Sequence, residues 1–185
     1  KMKFIKTEIS DVYIIEPSVF GDNRGYFLES FNLEKFEENV YPIKFVQDNE
    51  SKSSKGVLRG LHFQKPPFDQ AKLVRCIEGR VMDVAVDIRK GSPTYGKHVA
   101  IELTGENKRQ LFVPRGFAHG FSVLSDTAVF AYKVDNRYAP ESDSGIRYDD
   151  KELNIDWGLN KEEVQLSVKD KNLSFFKDLD SPFKF

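Results

Sequence analysis

Along most of this chain hydrophobic and polar residues alternate with a period of two, the spacing of strands whose two faces meet different surroundings. The alternation is cleanest over 81–88, where Met82, Val84, Val86 and Ile88 share one face, and over 128–134, where Ala128, Phe130, Tyr132 and Val134 do. Similar stretches predict strands over 4–9, 12–16, 26–30, 44–49, 58–64, 72–78, 98–103, 110–113 and 120–124. Turn formers punctuate them, among them Glu78-Gly79, Lys90-Gly91-Ser92-Pro93 and Thr104-Gly105-Glu106-Asn107. Helical spacing is rare. Leu33, Phe36 and Val40 fall on one face of a helix that Asn32 caps, and a second short helix is expected near 173–179. Many short strands with few helices predict an all-β antiparallel sandwich or barrel, folded as one domain over 1–185. The missing helices between strands exclude a doubly wound α/β fold.

Several polar residues break the pattern by standing in register with apolar ones. Lys72 shares a face with Val74 and Cys76, Tyr132 with Phe130 and Val134, and His119 with Phe117 and Phe121. His62 is less clear, because it shares a face with Leu58, Gly60 and Gln64 while Leu61 and Phe63 take the other. Each alone has an ordinary explanation: a tyrosine burying its ring, a satisfied core histidine, a lysine reaching out to solvent. Four together in a dry interior would be costly, and a solvated ligand cavity accounts for all of them. His98, at a strand start beside Lys97, reads as surface and is given no role.

Composition narrows the classes. Lys+Arg total 28 against 29 Asp+Glu, a net charge of -1, which argues against a nucleic-acid or anionic-membrane surface. With 16 Phe and 7 Tyr the chain is too aromatic to be disordered. No apolar run approaches the ~20 residues of a membrane-spanning helix. Lys3, Lys6 and Glu8 interrupt the first apolar residues, so no signal peptide is read and a cytoplasmic location is expected. The single Cys76 excludes an intrachain disulfide and any multi-cysteine metal site. Neither GxGxxG nor GxxxxGK[ST] occurs. The segment Pro114-Arg115-Gly116-Phe117-Ala118-His119 has the PxGxxH spacing of the second cupin motif. Where metal-binding cupins carry a partner HxH, this chain has His62-Phe63-Gln64, so no catalytic metal is expected.

Longer blocks carry a more specific resemblance. Asp22-Asn23-Arg24-Gly25-Tyr26-Phe27-Leu28-Glu29, Gln47-Asp48-Asn49-Glu50-Ser51 and Gly56-Val57-Leu58-Arg59-Gly60-Leu61-His62-Phe63-Gln64 are three of them. Gln70-Ala71-Lys72-Leu73-Val74-Arg75-Cys76, Asp83-Val84-Ala85-Val86-Asp87-Ile88-Arg89 and Gly116-Phe117-Ala118-His119-Gly120-Phe121 follow in order. Over positions 12–170 the chain resembles the dTDP-4-dehydrorhamnose 3,5-epimerase family, whose cupin-like jelly roll agrees with the fold read from the alternation. The resemblance implies a cofactor-free epimerisation at C3 and C5 of dTDP-4-keto-6-deoxyglucose by a homodimer that needs neither nucleic acid nor membrane. His62 matches the family's base, Asp170 the carboxylate that orients it, Lys72 the cation beside the enolate, and Tyr132 the proton donor. His119 matches a substrate contact. Arg24, Arg59 and Lys169 match cations for the diphosphate, and Glu29, Gln47, Asp48, Asn49 and Asp143 polar contacts to the nucleotide and sugar. Phe20, Phe27 and Tyr138 match shape or stacking partners of the thymine.

Two departures stand out. Asp143 occupies a position where the family usually has glutamate, so a water is expected between it and its partner, and Tyr148 stands where tryptophan is common. The alternatives are a sibling acting at one carbon, a 4-keto-sugar isomerase, a metal-dependent cupin, or a cupin that only binds a sugar.

Overall fold

The period-two segments pair into two antiparallel sheets in the computed structural model, which describes residues 1–185. With strands numbered in chain order, the larger sheet runs β1 (Lys3–Lys6), β2 (Tyr13–Glu16), β11 (Gln110–Val113), β7 (Lys72–Glu78), β13 (Thr127–Val134) and β5 (Gln47–Ser54). The smaller runs β10 (His98–Thr104), β8 (Arg80–Asp87), β12 (Phe117–Val123), β6 (Leu58–Gln64) and β14 (Asp143–Gly145). A hairpin of β3 (Val19–Asp22) and β4 (Gly25–Leu28) stands apart, and a small parallel pair joins β15 (Phe183–Lys184) to β9 (Arg89–Lys90). The helices are short: α1 (Leu33–Asn39) and α2 (Val168–Lys171). The architecture is the expected all-β jelly roll. No helix is long and apolar enough to cross a membrane.

Apolar side chains of both sheets meet in a core of 15 buried residues, with Val74, Leu111 and Phe130 from the larger sheet and Ala85, Phe117 and Phe121 from the smaller. Dispersion and burial hold the sheets together here, about 25 cal/mol for each Å² of apolar surface removed from water. The row Met82, Val84, Val86 and Ile88 faces the other way. It packs into a second core beneath the C-terminal chain, against Trp157, Phe176 and Phe183, while Val81 and Ala85 face between the sheets. Strand β8 is apolar on both faces because both are covered. A third core seats α1 on the outside of the larger sheet, with Phe36 edge-on to Phe112 at 5.2 Å, and Asn32 caps the helix by accepting the Lys35 N–H at 3.1 Å.

Three expectations shift. The strand predicted over 44–49 runs Gln47–Ser54, a sheet edge of almost wholly polar residues aligned along its length with β13, so no apolar row marks it. The first strand stops at Lys6, because Thr7 Oγ1 bonds the carbonyls of Ile9 and Val12 and turns the chain. The helix expected near 173–179 is replaced. A four-residue helix, Val168–Lys171, forms earlier, where Ser167 Oγ accepts the Asp170 N–H at 3.1 Å, and a single tight turn follows at Phe176–Asp178.

Candidate active site

A cavity of about 590 Å³ opens among side chains of both sheets and of α2. Strands β6 and β12 supply His62, Arg59, His119 and Phe121; strands β5, β7 and β13 supply Asn49, Lys72, Phe130 and Tyr132. Thus all four residues whose polarity broke the alternation line one cavity.

The local backbone explains why His62 read ambiguously. Gly60 has φ +130, in the region open to glycine, and a Cβ there would lie 2.7 Å from Gly120 Cα. The β6–β12 register shifts between His119 and Phe121, and this irregular crossing sets His62 opposite His119. The amide of Gly60 also donates to Asp170 Oδ2 at 3.1 Å. Asp170 Oδ1 lies 2.5 Å from His62 Nε2, and its side chain is only 4% exposed. Burial pushes the Asp170 carboxyl up, but the His62 hydrogen bond and charge, the Gly60 amide and nearby Lys169 outweigh it and hold the group below the usual carboxylate range.

His119 makes a second pair. Its Nε2 lies 2.8 Å from Asp83 Oδ1, both residues are buried, and its ring stacks on Phe130. Burial pushes the Asp83 carboxyl up, against the pull of His119 and Lys72, and pushes the His119 imidazole down, against the pull of Asp83. Lys72 lies among these groups, and burial brings its ammonium down to about 8, with Asp143 and Asp83 resisting and Lys169 adding to the fall. Burial raises the Tyr132 phenol, with Asn49 and Arg59 pulling it back. Arg59 rests its guanidinium on Ser53 Oγ at 3.1 and 3.2 Å.

Not every expected contact gathers here. Lys169 lines the cavity and pairs directly with Asp143, so the shorter carboxylate needs no bridging water, contrary to expectation. Asn49 faces the cavity, whereas Asp48, its neighbour on β5, turns outward to Lys133 at 3.0 Å. Gln47 is exposed and bonds Asn49 Oδ1 at 2.8 Å. Arg24, paired with Asp22, lies with Phe20 and Phe27 in the β3–β4 hairpin, around a separate hollow of about 450 Å³. Glu29 is held by Lys35 at the surface, and Tyr138 is exposed near Lys169. Asp83 escaped sequence reading. The signal existed: it stands in register with Val81 and Ala85, the face of β8 that turned out to point between the sheets. No three histidine, cysteine or carboxylate side chains converge as a metal ion would require.

Comparison with known proteins follows the same lines. A family model described as dTDP-4-dehydrorhamnose 3,5-epimerase matches residues 6–178. The dTDP-4-dehydrorhamnose 3,5-epimerase of Shigella flexneri is 58% identical over 180 residues, covering 97% of this chain and 98% of that protein. A crystal structure of a dTDP-6-deoxy-D-glucose-3,5-epimerase from Legionella pneumophila, in complex with dTDP-4-keto-L-rhamnose, superposes with a TM-score of 0.96 at 50% identity, covering 100% of this chain and 99% of that one. A dTDP-4-dehydrorhamnose 3-epimerase from Streptomyces niveus is 40% identical over 150 residues, 80% of this chain and 72% of that protein.

Proposed function

The chain belongs to the dTDP-4-dehydrorhamnose 3,5-epimerase family, and from that premise we propose how its cavity inverts two carbons of a dTDP-linked 4-keto sugar. The enzyme is an isomerase of a dTDP-activated sugar in the rhamnose branch. Which residues act, and how, is our reading of the geometry.

His62 is the base. With Asp170 ionised, its carboxylate accepts the Nε2–H of His62, which leaves Nδ1 with a free lone pair and no protein partner. That nitrogen takes the proton from the carbon beside the C4 ketone, and the electron pair of the C–H bond moves into an enolate on the C4 oxygen. Lys72 holds its positive charge beside that oxygen. A preorganised donor of this kind contributes ~2–4 kcal/mol to the transition state. Tyr132 then gives its phenolic proton to the opposite face of the carbon, and the carbonyl re-forms. Exchange with water resets the imidazolium and the tyrosinate, so no proton or electron is gained or lost.

One observation carries the reading: His62 and Tyr132 line the same cavity but come from different sheets, an arrangement that suits a base and an acid working on opposite faces of one carbon. Arg59 and Lys169, both cationic and at the same cavity, suit the diphosphate. A homodimer is part of the same proposal, supported by the exposed apolar residues Val19, Phe20 and Phe27 of the β3–β4 hairpin, and checked by sedimentation. For the chemistry, dTDP-4-keto-6-deoxyglucose is incubated with enzyme in deuterated water and followed by NMR. Deuterium enters at C3 and at C5. Entry at one carbon only would make the chain a single-carbon epimerase, and entry at neither would overturn the reading.

A further inference from the structure

The pairing of His119 with Asp83 is not used by the reaction as described, and its geometry sets it apart. Asp83 has no exposure, and while Oδ1 meets His119, Oδ2 is a buried oxygen with no hydrogen-bond partner. An ionised carboxylate sealed from water with a single donor would be costly, because each unsatisfied charged oxygen keeps its full desolvation penalty. A protonated carboxyl fits the same geometry better. Its hydroxyl donates to His119, and the orphan becomes a neutral carbonyl oxygen, the buried group most cheaply left unpaired. His119 Nε2 must then be the bare nitrogen, so the proton of the neutral imidazole sits on Nδ1. That nitrogen has no protein partner, and His119 lines the cavity.

We propose that Asp83 is a positioning residue which, as a neutral acid, donates to His119 Nε2 and so holds His119 Nδ1–H as a hydrogen-bond donor aimed at the C4 oxygen of the bound sugar. Lys72 and the Nδ1–H of His119 then form a two-donor site for the enolate, one charged and one neutral. The pair works oppositely to His62–Asp170. There the carboxylate accepts the ring N–H and leaves the cavity-facing nitrogen a base; here the carboxyl donates its O–H to the ring and leaves the cavity-facing nitrogen a donor. The assignment rests on the epimerase reading for its oxygen, but the tautomer itself does not.

Asp83→Asn and Asp83→Ala separate the possibilities. An asparagine amide presents N–H to Nε2 and leaves its carbonyl as the orphan, reproducing the protonated acid. Asp83→Asn therefore keeps kcat within about threefold of the parent, while Asp83→Ala loses ~10²-fold in kcat with KM little changed, the size of a lost oxyanion donor. The sequence has only 3 histidines, so ¹⁵N NMR of labelled imidazoles resolves them, with His119→Gln identifying the signal. His119 shows a protonated Nδ1 and a bare Nε2 in the parent and in Asp83→Asn. A protonated Nε2 in the parent overturns the proposal, as does Asp83→Asn falling as far as Asp83→Ala, or Asp83→Ala at full kcat. If the parent fails to exchange its substrate with solvent, the epimerase reading falls instead, and the tautomer measurement still judges the pair.

Discussion

The two carboxylate–imidazole pairs use the same residue types at nearly the same separation, 2.5 Å for His62–Asp170 and 2.8 Å for His119–Asp83, yet their surroundings differ. Both oxygens of Asp170 are taken, one by the imidazole and one by the Gly60 amide, and Lys169 adds its charge. Asp83 lies deeper, with one oxygen unpartnered. What decides whether a buried carboxyl is an anion or an acid is the number of donors that reach it, more than the histidine beside it. A single cavity thus obtains a base and a neutral donor from identical parts.

The largest effect comes from removing that distinction at Asp170. In Asp170→Asn the Gly60 N–H fixes the amide, because only the amide oxygen can accept it, and the amide N–H then points at His62 Nε2. His62 is forced into the tautomer with Nδ1 protonated, and the base is lost. Asp170→Asn and His62→Ala each lower kcat by ~10³–10⁴-fold, the range of a removed general base, although the first keeps the imidazole in place. Asp83→Asn, the same change in the other pair, costs almost nothing. Steady-state rates of the two asparagine variants compare the pairs directly, and equal losses would show that both are anionic.

A smaller effect tests the cation between them. Lys72 titrates near 8, and only its charged form stabilises an enolate, so kcat falls as pH rises through that value. In Lys72→Arg the guanidinium stays charged at every accessible pH, which removes this limb. The rate at neutral pH drops about tenfold, one badly placed hydrogen bond's worth, while the alkaline decline moves up by more than one pH unit. An unchanged alkaline limb in the pH–rate profile would assign it to another group.

How far the site was legible depended on whether a residue's neighbours marked its direction. Lys72, Tyr132 and His119 sit on strands whose apolar rows are unbroken, so their inward aim could be read from spacing alone. His62 could not, since the Gly60 crossing interrupts its row. Strand β8 misled in another way: with both faces buried it offers two apolar rows, and the row containing Asp83 is the one interrupted by charge. Strand β5 was misplaced because an edge strand of polar residues carries no period of its own and is defined by its partner β13. The reach of Asp170 to His62 joins residues 108 positions apart, and it is set by the path of the C-terminal chain over the smaller sheet. The resemblance named Asp170, but spacing alone contains no trace of that contact.

The smallest effect is one of stability, and it separates the pairs by sign. Asp170 is held low, so it stabilises the fold above the unfolded carboxyl's value near 3.9 and that contribution disappears as pH falls through its own lower value. Asp83 is held high. With Asp83 the neutral acid proposed above, the unfolded chain releases that proton above about pH 4 while the folded chain keeps it, so rising pH favours unfolding until Asp83 itself ionises. The groups facing it, His119, Lys72 and Cys76, set where this ends: the first two favour its ionisation, while Cys76, itself raised to about 11 by burial, adds no charge at neutral pH. Asp83→Asn removes the titration while keeping the hydrogen bond. Its Tm at pH 7 exceeds the parent's, and the advantage vanishes near pH 4. Asp170→Asn does the reverse, with a lower Tm at pH 7 and a deficit that shrinks as the solution is acidified. Thermal melts of Asp83→Asn at pH 4 and pH 7, and of Asp170→Asn at pH 7 and about pH 2, measure this, and a Tm difference for Asp83→Asn that does not depend on pH would mean that Asp83 is ionised in the folded protein.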